Sequence, residues 1–154
     1  MDRRANRRTA GRVRTGVILV DTSGLLAALF PDQTHHQECA TVLAGDGPFV
    51  LSPFVLAELD HLVGCFAGFD ARQALLEEVV AGAYDLAPYD ATDVAEAASI
   101  GSQYEDLDVG LADASIVVLA RRSGTIDLLS LDQRHFRVLK GPDDRPFRIL
   151  PFDA

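Results

Sequence analysis

The run VILV at residues 17–20 passes straight into Asp21-Thr22-Ser23-Gly24, and a new apolar run opens at Leu25. A short continuous apolar run closed by polar residues reads as a strand buried on both faces, the kind found in parallel sheets covered by helices. Ser23 and Gly24 allow a tight turn into a helix. Such a quick hand-over from strand to helix constrains the chain to α/β layering, with Asp21 at the carboxyl end of a central strand. Ligands of open α/β sheets gather outside those ends. An acid there is either a site residue or the cap of the next helix, and this stretch alone does not separate the two.

The same pattern returns near the other end, where residues 126–131 (IDLLSL) form an apolar strand and Asp132 follows at once. Between these strands, residues 24–30 predict a helix stopped by Pro31-Asp32, residues 35–44 a helix stopped by Gly45-Asp46-Gly47, and residues 49–51 a second strand. Ser52-Pro53 is a helix start, with serine as cap and proline at the first position. In the helix at 53–65, Val55, Glu58, Leu59 and Leu62 follow the i, i+3, i+4, i+7 spacing, which places Glu58 on the core-facing stripe. A carboxylate there must be paired, neutralised or bound to metal. The plainer reading is a rim glutamate paired with a base such as His61.

Residues 64–68 break the helical pattern and 70–81 resume it; 84–87 form a third strand closed by Pro88. A helix at 90–104 has Asp90 as cap and Asp93 in its first turn, where negative charge is favoured, so both read first as capping acids. An acidic loop at 105–108 leads to a helix at 110–123 ended by Gly124. There Asp113 shares a face with Ile116, Val117 and Ala120, while Arg121-Arg122 occupy the last turn. Arg134, His135 and Phe136 make a short helical stretch, 141–146 is a polar loop, and 147–150 a last strand.

At 154 residues the chain suits one domain with a full core, and no apolar run reaches the ~20 residues of a membrane span. Charge is unevenly spread. Residues 1–16 carry six arginines and one acid; the rest carries 8 basic and 22 acidic residues, a net −14. The start therefore reads as a basic flexible extension, either a nucleic-acid-binding arm or the product of an upstream start, and not as a secretory signal. The acidic body repels nucleic acid unless cations intervene, and it suits metal binding or a basic partner. Cys39 and Cys65 lie far apart in apolar helical stretches, and His35, His36, His61 and His135 show no zinc-ligand spacing.

Asp21, Glu58, Asp113 and Asp132 are thus expected to converge at one end of a parallel sheet. Clustered carboxylates repel and partly protonate, a conflict that divalent cations resolve. Oxygen donors without His or Cys select a hard ion, Mg²⁺ or Mn²⁺. Such a site suits phosphoryl chemistry, in which one ion activates water and a second stabilises the leaving oxygen. No phosphate-binding G-x-x-x-x-G-K-[ST] loop and no Ser-His-Asp arrangement competes.

Four stretches, VDTSGLLA (20–27), SPFVLAELDHLV (52–63), GLADASIVVLA (110–120) and LLSLDQRHF (128–136), resemble in order and spacing the PIN-domain nucleases, specifically the VapC toxins of bacterial toxin–antitoxin pairs. Each motif alone is weak; the four in order cover nearly all of residues 17–152. The resemblance implies a three-layer α/β/α PIN domain over 17–152 with a mainly parallel sheet. It implies a cytoplasmic, homodimeric, Mg²⁺-dependent endoribonuclease, with Mn²⁺ as possible substitute, that cuts structured RNA such as tRNA or a ribosomal RNA loop. It further implies a VapB-type antitoxin that places a basic residue in the acidic groove. By the same resemblance Asp21, Glu58, Asp113 and Asp132 are the catalytic metal-site acids. Thr22, Ser23, Ser130 and Arg134 are candidates to touch phosphate or hold water, with a turn-and-cap role as the alternative, and Asp108 could support the site from its loop. The family often has Thr where Ser130 stands. It often has a further acid two residues after the fourth, where this chain has Arg134, which bears on whether one ion or two are held.

Competing readings are a PIN fold with a vestigial metal site that acts as a protein-binding module, a D-x-S-x-S adhesion site and a haloacid-dehalogenase-like phosphatase. The D-x-S-x-S pattern breaks at Leu25, and the phosphatase pattern needs an acid where Ser23 stands.

Overall fold

Strands of two or three residues carry this fold because nearly every side chain on the central ones is buried. Leu19 and Val20 of β1 (Ile18–Val20), Leu51 of β2 (Phe49–Leu51), Leu128 and Leu129 of β4 (Asp127–Leu129) and Ile149 of β5 (Arg148–Leu150) are at most 1 % exposed. With β3 (Asp85–Leu86) they form one sheet in the order β3-β2-β1-β4-β5, every pairing parallel. The computed structural model describes residues 16–154; the expected basic extension lies outside the described residues except for Gly16.

Parallel strands need crossovers, and helices supply them. The helices α1 (Thr22–Leu29) and α2 (His36–Leu43) join β1 to β2, and α3 (Pro53–Val80) joins β2 to β3. Both α4 (Ala91–Gln103) and α5 (Leu111–Ser123) lie between β3 and β4, and the one-turn α6 (Gln133–Phe136) precedes β5. From β1 the chain steps outward to β2 and β3, then returns across the sheet to β4 on the other side of β1. Right-handed crossovers in opposite directions put helices on opposite faces, which gives three layers. The direction of winding reverses between β1 and β4, the place where open α/β sheets leave a crevice at their carboxyl ends.

Several local expectations need correction. The break at 64–68 narrows to one residue: α3 runs through to Gly68, whose φ of 86° and ψ of −175° kink it before it continues to Val80. The acidic loop is a 3₁₀ turn over Glu105–Leu107, and the fourth strand stops at Leu129, so Ser130 and Leu131 separate it from Asp132. Helix α1 begins at Thr22, two residues earlier than expected. Glu58 does not lie on the buried stripe of α3; that stripe is Val55, Leu59 and Val63, and Glu58 is exposed beside it. The heptad-like spacing that suggested otherwise spans an arc wide enough to include the rim.

Gly24 sets how closely the two site-bearing strands' surroundings pack. A Cβ on it would lie 2.6 Å from the Leu129 carbonyl oxygen, so α1 can rest against β4 only with glycine there. The ladder continues past the strands: the Asp21 amide donates to the Leu129 carbonyl at 2.9 Å and the Ser130 amide to that of Leu150 at 3.1 Å. Both acid-bearing strand ends are thereby held side by side.

Candidate active site

At the crevice between β1 and β4 lies a cleft of about 420 Å³ lined by Asp21, Glu58, Asp113, Asp132 and His135 together with Thr22 and Ser23. Four different segments deliver the acids: the end of β1, the exposed edge of α3, the first turn of α5, and the residue that opens α6.

Asp21 has the extended backbone of a helix cap but makes no side-chain capping bond. Its Oδ2 instead accepts from the Ser130 hydroxyl at 2.7 Å and the Ser23 hydroxyl at 3.0 Å. Ser23 Oγ in turn accepts from the Leu131 amide at 2.9 Å, and Ser130 Oγ from the Asp132 amide at 3.0 Å. The two serines therefore tie the β1 end to the β4 end through one buried carboxylate. Burial pushes the Asp21 carboxyl upward, against the lowering effect of the Ser130 and Ser23 hydroxyls and the Thr22 backbone. Burial likewise pushes Asp113 up to about 6, with Asp21, Asp132 and Glu58 adding to the rise and His135 opposing it. Among the described residues no arginine or lysine lines the cleft.

Asp132 does two things at once. Its Oδ1 accepts the His135 amide at 3.1 Å and so caps α6, while Oδ2 lies 2.9 Å from His135 Nδ1. The same Nδ1 lies 3.0 Å from Asp113 Oδ2. Donor atoms of Asp113, Asp132 and His135 all fall within 4.8 Å of one another, a spacing that one cation can bridge.

A family model of the PIN domain matches residues 18–141 of this chain. The chain is also 42 % identical over 137 residues to Ribonuclease VapC26 of Mycobacterium tuberculosis (strain ATCC 25618 / H37Rv), covering 87 % of this chain and all of that protein. The chain belongs to the PIN-domain family, among the VapC ribonucleases.

Solved PIN-domain structures share the fold. The Mycobacterium tuberculosis VapC20 toxin, a sarcin-ricin loop cleaver, superposes with a TM-score of 0.69 at 21 % identity over 75 % of this chain and 89 % of its own. VapBC2 of Rickettsia felis, solved with a promoter DNA fragment, gives 0.62 at 16 % identity over 86 % of this chain and 98 % of its own.

Within this PIN domain the expected site residues divide. All four main acids line one cleft, with Asp21 buried, Asp113 and Asp132 half-buried and Glu58 exposed at the rim. Glu58 is not paired with His61 among the described residues; His61 Nε2 sits 3.8 Å from Cys65 Sγ. Thr22 lines the cleft, and its buried hydroxyl has no hydrogen-bond partner among the described residues. Ser23, which lines the cleft, and the buried Ser130 both donate to Asp21 Oδ2. Arg134 and Asp108 are exposed and do not line the cleft. Arg134 follows the first residue of a one-turn helix that turns it outward, and Asp108 ends the 3₁₀ turn in a left-handed conformation with φ of 53°.

His135 lines the cleft beside the acids and is not among the residues singled out from the sequence. The sequence places it in a short helical stretch, and spacing to the other histidines gives no sign of it. The usable signal was Asp132-x-x-His135, one helical turn apart at the end of an acid-closed strand.

Proposed function

We propose that this PIN-domain chain is the toxin of a type II toxin–antitoxin pair, an endoribonuclease that hydrolyses a phosphodiester of structured RNA, a tRNA or ribosomal RNA loop, in the cleft between β1 and β4. The observation that carries the reading is the convergence of Asp21, Glu58, Asp113 and Asp132 there with no lysine or arginine among the described residues to neutralise them. The donor set fits a divalent cation, Mg²⁺ or in its place Mn²⁺, that Asp113 and Asp132 would hold. Such a cation, when bound, activates water and offsets charge on the phosphate.

The chain's own residues supply the rest. Asp21, clamped by two serine hydroxyls, fixes the floor of the cleft and the distance between the strand ends. Asp113 gains from a nearby positive charge, because burial and three acids oppose its ionisation. Glu58, exposed at the rim, is free to orient water on the solvent side. The first turn of α5 presents Leu111, Ala112 and Asp113 to the cleft, and its backbone N–H groups have no side-chain cap, an arrangement that welcomes a phosphate.

The acidic body suits a VapB-type antitoxin whose basic segment enters the cleft, and the protein is read as cytoplasmic because its RNA substrate is there. No helix among the described residues is long and apolar enough to cross a membrane. A homodimer is supported by the exposed Phe66 and Phe69 beside the α3 kink, an apolar patch suited to burial against a second copy. Residues 17–152 are taken as the PIN domain and 1–16 as an extension.

The test uses full-length protein freed of antitoxin. Cleavage of total RNA with Mg²⁺, its loss with chelator, and its loss in a folded Asp21→Asn variant that no longer arrests growth are expected. Wild-type toxicity from Asp21→Asn would remove the role assigned to this carboxylate. Mapping new RNA ends after induced expression names the substrate.

A further inference from the structure

Nothing in the four-acid reading requires a histidine, yet His135 Nδ1 lies against both Asp113 and Asp132. Its Nε2 lies 3.1 Å from the Leu107 carbonyl oxygen. A carbonyl only accepts, so Nε2 carries the hydrogen. The other nitrogen, Nδ1, faces Asp113 Oδ2 and Asp132 Oδ2, at 3.0 and 2.9 Å, with its electron pair in the neutral ring and with a second hydrogen in the charged ring. Nδ1 is buried and, among the described residues, neither oxygen meets it with hydrogen-bond alignment. Positive charge is needed there, and either a proton on Nδ1 or a cation shared by the three groups supplies it; the cation replaces the proton when it binds.

The ring is also rigidly held. The His135 amide is bound by Asp132, the neighbouring Phe136 is fully buried, and Phe136 meets Phe147 edge-on at 5.8 Å between ring centres. Histidines that ligate metals typically donate their second N–H to a backbone carbonyl or carboxylate, which fixes the tautomer and aims the free nitrogen. Leu107 provides that carbonyl from the 3₁₀ turn, so the acidic loop serves the site through its backbone and not through Asp108.

We propose that His135 Nδ1 is a direct ligand of the divalent cation held by Asp113 and Asp132, which makes this a mixed nitrogen–oxygen site that favours Mn²⁺ over Mg²⁺. The inference rests on the cation-binding reading of the cleft. Imidazole suits transition ions better than Mg²⁺, which takes oxygen donors in a strict octahedron.

The test loads the untagged full-length chain with Mn²⁺ and looks for nitrogen-14 hyperfine coupling by pulsed electron paramagnetic resonance. The wild type is expected to show one directly bound nitrogen. His135→Gln, checked for an unchanged fold by circular dichroism, is expected to lose that coupling and to bind Mn²⁺ about tenfold or more weakly by calorimetry, with a smaller loss for Mg²⁺. Mn²⁺ bound in the wild type without nitrogen coupling overturns this inference and leaves the acidic cation site standing. Coupling that persists in His135→Gln overturns it as well, since the nitrogen then belongs to another residue. Absence of any Mn²⁺ or Mg²⁺ binding to the wild type overturns both readings.

Discussion

Asp93 and Asp113 hold the same position, third residue of a helix, on the neighbouring helices α4 and α5, and their electrostatics run in opposite directions. Asp93 accepts the Asp90 amide at 2.9 Å in a capping box and meets Arg122 at 2.6 Å, and the Arg122 side chain foremost holds its carboxyl below the usual range. Asp113 has a glycine, Gly110, as cap and three acids as neighbours, and burial pushes it up to about 6. A helix dipole favours both anions equally. It therefore does not decide the outcome; burial and the sign of the nearest side chains do. One acid is spent on holding a helix end, the other is left with an unmet demand for positive charge.

The largest effect that could break this contrast is on RNA cleavage. Asp113→Asn is expected to lower the cleavage rate by about 100-fold or more, the scale of losing a group that acts directly on the reaction, while raising the melting temperature of the metal-free protein. Asp93→Asn is expected to do the reverse: cleavage unchanged, melting temperature lowered. Steady-state cleavage assays with thermal melts decide it. Equal losses of activity in both variants would mean that the cleft and the capping box are not separate systems.

Next comes Gly24→Ala, which drives a methyl group into the Leu129 backbone. Overpacking of this kind costs roughly 1–3 kcal/mol, and here it also pries Asp21 away from Ser130. Denaturant melts should show the loss, and metal affinity should fall with it. A variant as stable as wild type would show that α1 can lift from β4 without cost.

The pH response sharpens the comparison further. Between pH 3.8 and about 6 folded Asp113 keeps its proton while the unfolded chain has lost it, so stability falls as pH rises through that window. Asp21, also raised by burial, acts in the same direction. Asp93 and Asp153 are lowered by their arginines, so their stabilisation is complete above the usual carboxylate range and fades only below it. Metal-free protein should therefore melt higher at pH 5 than at pH 7, and saturating Mn²⁺ should remove the difference by supplying the missing charge. A flat profile without metal would count against the unmet demand in the cleft.

Much of this arrangement was legible in the sequence because it follows from backbone rules. Apolar runs ended by acids mark the carboxyl ends of β1 and β4, Ser52-Pro53 starts α3 with the Ser52 hydroxyl accepting the Phe54 amide at 3.2 Å, and Asp90 caps α4 as expected. What was not legible depends on side-chain direction. Periodicity places Glu58 only within an arc, and whether that arc's edge faces core or solvent is set by how α3 leans on α1 and α5. For His135 the spacing to Asp132 is local, but its contacts with Leu107 and Asp113 join positions distant in sequence, which no local spacing announces.

The smallest expected effect comes from giving α5 the cap that α4 has. Gly110 sits at φ −75° and ψ 170°, and a Cβ added there meets nothing within 4 Å, so Gly110→Ser fits without strain. A serine cap in place of glycine adds only a few tenths of a kcal/mol to stability. Its hydroxyl would satisfy an N–H of the first turn, beside Asp113. If the uncapped helix end receives phosphate, the same change should raise the KM for RNA while leaving metal affinity intact. Capping and substrate binding then compete for the same N–H groups. A more stable Gly110→Ser protein with unchanged KM would assign the open end of α5 to loop geometry alone and leave the contrast between the two helices resting on Asp113.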